Sequence, residues 1–160
     1  MAGLYDAVDF KWSDDGDFCL GDDGDLADTS EDQIQSLRQE ILSICKSNVR
    51  DWFFAPRYAA ELTEFVGQPN RPNTAAEIKA RLFSALTLNR VVAQRDLYVR
   101  VVPVRHDAVM CVIGVEAIAT ENNSLASNGT VTICFMLDVA SGTMVSMNAP
   151  TEVNLVPVRG

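Results

Sequence analysis

Three groups of residues in this chain have types and spacings that could do chemistry. The first is acidic: Asp14-Asp15-Gly16-Asp17 is repeated as Asp22-Asp23-Gly24-Asp25, eight positions on. Oxygen-rich turns suggest calcium, but an EF-hand loop needs oxygen ligands at its first, third and fifth positions before the glycine. Counting back from Gly16 puts Lys11 first, and from Gly24 puts Cys19 first. Turn chemistry explains the repeat without a metal, because Gly supplies positive φ and Asp bonds back to the nearby backbone. The second group is Glu40, Glu61 and Glu64. A glycosidase would need one carboxyl with a raised pKa and a second roughly 5–9.5 Å away. All three glutamates fall on predicted helices, where a solvated face accounts for them, and nothing in the sequence selects a pair. The third group is His106, the single histidine, which lies in a predicted turn and leaves no histidine-rich zinc site.

Other chemistry lacks its residues. There is no Gly-x-Ser-x-Gly elbow, no His-Glu-x-x-His, no phosphate-binding loop and no Gly-x-Gly-x-x-Gly. Cys19, Cys45, Cys111 and Cys134 are widely spaced among apolar neighbours with no Cys-x-x-Cys pair, so they read as reduced packing residues. No catalytic residue, cofactor or metal ligand is assigned, and the chain is not expected to be an enzyme. Asn122-Asn123-Ser124 and Asn128-Gly129-Thr130 look like glycosylation triplets, but serve better as loop chemistry in a chain whose start, Met1-Ala2-Gly3-Leu4-Tyr5-Asp6, has no signal-peptide pattern. The expected compartment is the cytosol where the chain is made. No apolar run approaches the ~18 residues of a membrane helix.

Charge divides the 160 residues unevenly. The net charge is −9, yet residues 1–32 hold eleven acids against one base, while residues 71–105 hold seven bases against two acids. An acidic arm joined to a basic segment suits ordered protein assembly. Nucleic-acid binding is disfavoured by the overall sign and by bases interleaved with core positions instead of forming a dense stripe.

The elements that must position these residues follow from periodicity. Phe10–Trp12 and Phe18–Leu20 are short extended pieces between the Asp-rich turns. Ser30 with Gln33 forms a capping box, and Ile34, Leu37, Ile41, Leu42, Ile44 and Cys45 predict a helix over about 31–47. Trp52-Phe53-Phe54-Ala55-Pro56 breaks it. Tyr58–Val66 predicts a short second helix, and Thr74 with Glu77, or Asn73 alone, caps a third that runs to about Leu88. From Leu97 the period becomes two: Leu97, Val99 and Val101 alternate with Tyr98, Arg100, Val102 and Val104. Val109, Cys111, Ile113 and Val115 follow the turn Arg105-His106-Asp107-Ala108, and Val131, Ile133, Phe135 and Leu137 follow the loop 120–129. Ser141-Gly142 turns into a fourth strand near Thr143–Met147. The fold class expected is α+β: about three N-terminal helices, then a small antiparallel sheet of three to four strands. Its divisions are an acidic turn-rich arm (1–30), one domain (31–147) and a C-terminal tail (148–160). One domain of this size buries roughly 70% of its unfolded surface.

The order of these segments resembles the small baseplate wedge subunit of contractile-tailed phages, with relatives in type VI secretion and other contractile injection systems. The resemblance spans roughly residues 10–118. It rests on the Asp-Gly-Asp turns followed by Leu26-Ala27-Asp28-Thr29-Ser30, on Ser36-Leu37-Arg38-Gln39-Glu40-Ile41, and on the Asp51-Trp52 to Pro56 break. It continues through Val66-Gly67-Gln68-Pro69-Asn70, Ser84-Ala85-Leu86-Thr87 and the strand Asp96-Leu97-Tyr98-Val99-Arg100-Val101-Val102-Pro103-Val104. Many relatives carry Glu-Pro-Arg between the last helix and first strand; here that stretch reads Leu88-Asn89-Arg90-Val91-Val92-Ala93-Gln94-Arg95. Arg90 or Arg95 stands nearest to the family's arginine.

The resemblance implies a structural component that joins the wedge to the tail sheath and provides a platform for the first sheath ring. It would be present in multiple copies in a symmetric baseplate, located in the virion and in the host cytoplasm during assembly. Its partners would be other baseplate wedge proteins and the tail sheath protein, with no nucleic acid and no membrane. Some relatives are labelled acidic lysozymes, so the alternative is a lysozyme-like glycoside hydrolase acting on peptidoglycan. For partner binding the candidate residues are Asp14, Asp15, Asp22 and Asp23 on the arm and Arg90, Arg95 and Arg100 on the basic segment. The arm either meets a neighbouring subunit or folds over those arginines. Its Phe10, Trp12, Phe18, Leu20 and Leu26 are expected to pack on the domain, with the Asp-rich turns facing outward.

Overall fold

A computed structural model describes residues 8–13, 17–30, 33–116 and 130–147. Asp14, Asp15, the loop 120–129 and the tail 150–160 lie outside the described residues. The chain is an α+β fold: α1 (Gln33–Lys46), a 3-10 turn (Leu62–Phe65), α2 (Pro72–Leu88), a second 3-10 turn (Gln94–Asp96), then β1 (Leu97–Arg105), β2 (Ala108–Glu116), β3 (Thr130–Asp138) and β4 (Met144–Met147).

Apolar spacing explains both helices. Leu37, Ile41, Ile44 and Cys45 on α1, and Ile78, Leu82, Ala85 and Leu86 on α2, are buried as continuous stripes. The four strands form an antiparallel meander in the order β1-β2-β3-β4. Its inner face is set by the two-residue period: Leu97 and Val99, then Val109, Cys111, Ile113 and Val115, then Val131, Ile133, Phe135 and Leu137, all buried against the helices. α2 lies against β1 and α1 touches β3, so the helices form one layer and the sheet the other.

Two details differ from the periodicity reading. Tyr58–Val66 was expected to be helical, but only Leu62–Phe65 turns, as a 3-10 helix. The amides ahead of it are taken by α1: Ala60 N–H donates to Ile44 O at 2.9 Å and Glu61 N–H to Ser47 O at 3.3 Å. Glu61, at φ 53, is left-handed and cannot continue a right-handed helix. At α2, the helix starts at Pro72 ahead of both Asn73 and Thr74, because a proline at the first turn forfeits no helical hydrogen bond. Thr74 is not a cap; its buried hydroxyl donates to Pro69 O at 2.8 Å.

The connection before α2 clamps the sheet. The Asn70 amide donates to Arg105 O at 2.5 Å and Ala108 O at 3.0 Å, closing the β1–β2 hairpin from outside. Gly67, at φ 82, donates its N–H to Val139 O at 2.6 Å and so holds the β3–β4 turn. Within that turn the Asp138 carboxylate accepts from the N–H groups of Ala140 (2.8 Å) and Ser141 (3.1 Å). The Ser141 and Ala140 amides hold the Asp138 carboxyl below the usual value. Its contribution to the turn is therefore present above the unfolded carboxylate pKa and is lost as pH falls through the lowered folded value.

Candidate interaction surfaces

The arm is a closed three-segment ribbon. Trp12 bridges Phe18, Leu20 bridges Leu26, and Asp28 returns to bridge Phe10. At its centre Cys19 N–H donates to Lys11 O, Ala27 N–H to Cys19 O, and Lys11 N–H to Ala27 O, at 2.8–2.9 Å. The three residues in that ring are eight apart, which reveals a repeat: Asp9-Phe10-Lys11-Trp12, Asp17-Phe18-Cys19-Leu20, Asp25-Leu26-Ala27-Asp28. The second Asp-Asp-Gly-Asp, at 22–25, forms the turn between its second and third copies. The third copy lacks that turn, so the sequence signal that could have found it is the Asp-apolar pair recurring at Asp9, Asp17 and Asp25.

Gln39 of α1 docks the ribbon as a strand would. Its carbonyl accepts from Trp12 N–H at 2.9 Å and its amide donates to Phe10 O at 3.0 Å. Thr29, fully buried, donates its N–H to Asp9 O and accepts Asp9 N–H on its hydroxyl. The expectation that the arm's apolar side chains pack on the domain is corrected: Phe10, Trp12, Phe18, Leu20 and Leu26 are 39–69% exposed. Ring closure satisfies the backbone while leaving these side chains outside. Phe18 packs on Trp12 (centroids 4.5 Å apart) and Phe10 (6.0 Å). Removing the docking group tests this arrangement. Gln39→Ala should raise trypsin cleavage after Lys11 by roughly ten- to a hundredfold, since two hydrogen bonds contribute about 1–3 kcal/mol together. The core melting temperature should stay within a degree or two, and an unchanged cleavage rate would show that Gln39 does not hold the arm.

The candidate partner-binding residues within the described part of the chain lie on separate elements. Asp22 and Asp23 are exposed in the turn before Gly24, with the Asp23 carboxylate accepting Asp25 N–H at 3.1 Å. Arg90 follows α2 with a left-handed backbone, Arg95 faces Asp96 at 3.4 Å in the 3-10 turn, and Arg100 is exposed on the outer face of β1. Among the described residues no arm carboxylate pairs with any of the three arginines, so the folded-over arrangement is not seen.

Of the candidate acids, Glu61 and Glu64 share one cation and Glu40 stands apart on α1. Arg81 bridges Glu61 at 2.8 Å and Glu64 at 2.6 Å. Glu64 and Glu77 line a groove of about 410 Å³ together with Arg81. Glu40 is half-buried under the arm, and desolvation, with the Asp9 charge second, pushes its carboxyl up. Burial likewise raises the Cys111 thiol to about 12, and all four cysteines are free thiols. His106 is exposed in the β1–β2 turn. Among the described residues no cluster of three or more His, Cys, Asp or Glu side chains could hold a metal, and no helix is long and apolar enough to cross a membrane.

Two further surfaces stand apart from these residues: the sheet, whose edges were expected to dock a partner, and a turn that was read only as a break. The outer face of the sheet carries the rows Arg100-Val112-Cys134-Met147 and Val102-Met110-Met136-Val145, an apolar surface at an alternation that predicts solvent. At its margins β1 and β4 are edges, and their outward backbone groups meet no other main-chain partner among the described residues. The second surface is the break after α1, a closed turn that displays Trp52, Phe53 and Phe54. Comparisons with family models, with curated proteins and with solved structures find no match to this chain.

Proposed function

We propose that the chain is a structural subunit of the baseplate wedge of a contractile tail, whose sheet accepts a strand from the tail sheath protein while its other surfaces meet neighbouring wedge proteins. The observation that carries the reading is the nine-residue β1 at the edge of a four-stranded meander, with no further strand paired to it among the described residues. An unpaired edge is a row of donors and acceptors that another chain completes, and the apolar outer face gives alternate side chains of an added strand something to lie beside. The helices-then-sheet order and the segments that resemble the wedge family supply the identity of the partner. In this role the protein belongs to the virion, in several copies, and to the host cytoplasm during assembly.

A structure of the reconstituted chain with its sheath subunit tests the proposal. A sheath strand hydrogen-bonded to β1 or β4 is the expected result; both edges empty would overturn it and favour contacts through helix faces. The rival is an acidic lysozyme-like hydrolase, for which Glu40, its carboxyl pushed up by burial, is the candidate acid. The Asp9 charge on the arm adds to that rise, and Glu61 and Glu64 are engaged by Arg81. Peptidoglycan clearing that disappears in Glu40→Gln would favour the hydrolase, while clearing that persists in Glu40→Gln, Glu61→Gln and Glu64→Gln would mark contamination.

A further inference from the structure

The described surface carries two aromatic patches of opposite charge. Beyond the end of α1, Phe53 and Phe54 are 88% and 95% exposed, with ring centroids 5.0 Å apart. Their exposure is built into a braced turn. Arg50 N–H donates to Pro56 O at 3.1 Å, Ala55 N–H to Trp52 O at 3.2 Å, the Trp52 indole to Ser47 Oγ at 2.9 Å, and Asn48 N–H to the Asp51 carboxylate at 2.7 Å. The end of α2 is tied to this segment by Asn89, whose amide donates to Arg57 O at 3.3 Å, and the adjacent Leu88 is 78% exposed. Adjacent, fully displayed phenylalanines are unusual on a solvated surface and mark interaction sites.

Three bases flank this patch: Arg50, Arg57 and Arg90, all exposed. Arg50 (φ 74) and Arg90 (φ 58) are left-handed, a conformation that favours glycine or asparagine and costs any larger residue. The turn geometry alone would be better served by glycine, so what arginine adds at both places is its guanidinium. The only acid between residues 48 and 58 is Asp51, and its carboxylate is turned back onto the loop.

An anionic membrane is a poor occupant, because the chain's net charge of −9 repels it at long range. The matching chemistry is on the chain itself. The arm presents Phe10, Trp12, Phe18 and Leu20 beside exposed Asp17, Asp22, Asp23, Asp25 and Asp28. We infer that the arginine-flanked aromatic turn of one copy receives the acidic aromatic ribbon of a second copy. The apolar rings supply the affinity and the charge pairs fix orientation and partner choice. Because the two surfaces differ, the contact is heterologous and each copy retains one of each until the assembly closes.

Sedimentation velocity at physiological ionic strength, from micromolar to near-millimolar chain, tests the inference. The parent should gain mass with concentration. Phe53→Ser with Phe54→Ser, and separately Leu20→Lys with Asp22→Lys, should weaken association about a hundredfold or more, since central aromatic anchors dominate such contacts. All four positions are exposed, so each variant should keep the parent's melting temperature. Mixing the two variants restores one intact contact and should yield a pair. A parent that stays monomeric throughout, or a turn variant that associates as well as the parent, overturns the inference. So does binding to phosphatidylglycerol vesicles that requires Phe53 and Phe54 in a chain that does not self-associate. The wedge proposal does not depend on any of these outcomes, because it concerns the sheet edges.

Discussion

Phe135→Ala should lower the free energy of unfolding by about 3–5 kcal/mol, a large part of the roughly 5–15 kcal/mol that holds a domain of this kind together. Phe135 is fully buried at the middle of β3, between Cys111 of β2 and Ser146 of β4 in the register. It faces the same side as Val109, Ile113, Ile133 and Leu137, so its ring lies where strands and helices share one core. Truncation removes transfer energy and leaves a cavity that a meander hydrogen-bonded on both sides cannot easily close. One neighbour softens the loss. Ser146 has a buried hydroxyl with no hydrogen-bond partner, and water entering the new space could satisfy it. Phe135→Leu should therefore cost clearly less than Phe135→Ala. Urea unfolding with an unchanged slope measures both, and a loss below about 1 kcal/mol for alanine would mean that the ring is not a core element. Because β3 carries β4, the same substitution should weaken one of the two edges proposed to receive the sheath strand.

That sheet was legible because apolar residues recur at alternate positions in three of its strands. Period two over Leu97–Val99, Val109–Val115 and Val131–Leu137 assigns side chains to a face, and burial follows it there; from Val101 on, β1 is half-buried and then exposed, and its register shifts between Pro103 and Arg105. The helical stripes of α1 and α2 were equally plain. The pattern at Ala59, Leu62, Phe65 and Val66 misled, because an apolar spacing reports which residues face the core and not where their amides find partners. Here Ile44 O and Ser47 O take the amides of Ala60 and Glu61, which lie between Ala59 and Leu62. Thr74 shows the same limit at a helix start: a hydroxyl three residues before a glutamate fits a capping box, but Pro69 O is closer at hand.

The interaction surfaces were less readable, for a related reason. Apolar residues in the arm were assigned to the domain because exposed rings are costly, yet the ribbon closes on itself through three backbone bridges that no side-chain pattern announces. Gln39 and Asn70 look like ordinary polar residues in sequence. Each acts by capping main-chain groups far away along the chain, Phe10 and Trp12 for one and Arg105 and Ala108 for the other. The break Trp52–Pro56 was visible as a break, but its direction, outward, depends on the left-handed turn at Arg50, where the residue type gives no warning. Arg90, Arg95 and Arg100 were grouped because they are near in sequence. In the fold three different places carry them: Arg90 follows α2, Arg95 lies in the second 3-10 turn and Arg100 on β1.

Gly142→Ala should cost about 2–3 kcal/mol, more than an exposed turn position ordinarily would, because two separate penalties fall on one methyl group. Gly142 has φ 75, and an added Cβ would lie 2.9 Å from Cγ2 of Val66. The left-handed backbone accounts for about 1 kcal/mol whatever the surroundings. The rest is steric, and Val66 yields poorly because a β-branched side chain has few rotamers to retreat into. Val66 is partly exposed, so Val66→Ala alone should be mild. Combined with Gly142→Ala it should recover the steric part and leave the backbone part, giving a coupling of about 1–2 kcal/mol in a double-mutant cycle. Additive losses would show that the turn moves away from Val66 instead of pressing on it. The functional readout follows from geometry: Gly142 leads directly into β4, and Gly67 next to Val66 donates to Val139 at the other end of the same turn. Loosening that contact should free β4 from β3 and raise proteolysis around Met144–Met147 while β1 and β2 stay protected. If sheath capture uses the β4 edge, it should fall with Gly142→Ala and return with the added Val66→Ala; if it uses β1, both variants should capture as the parent does.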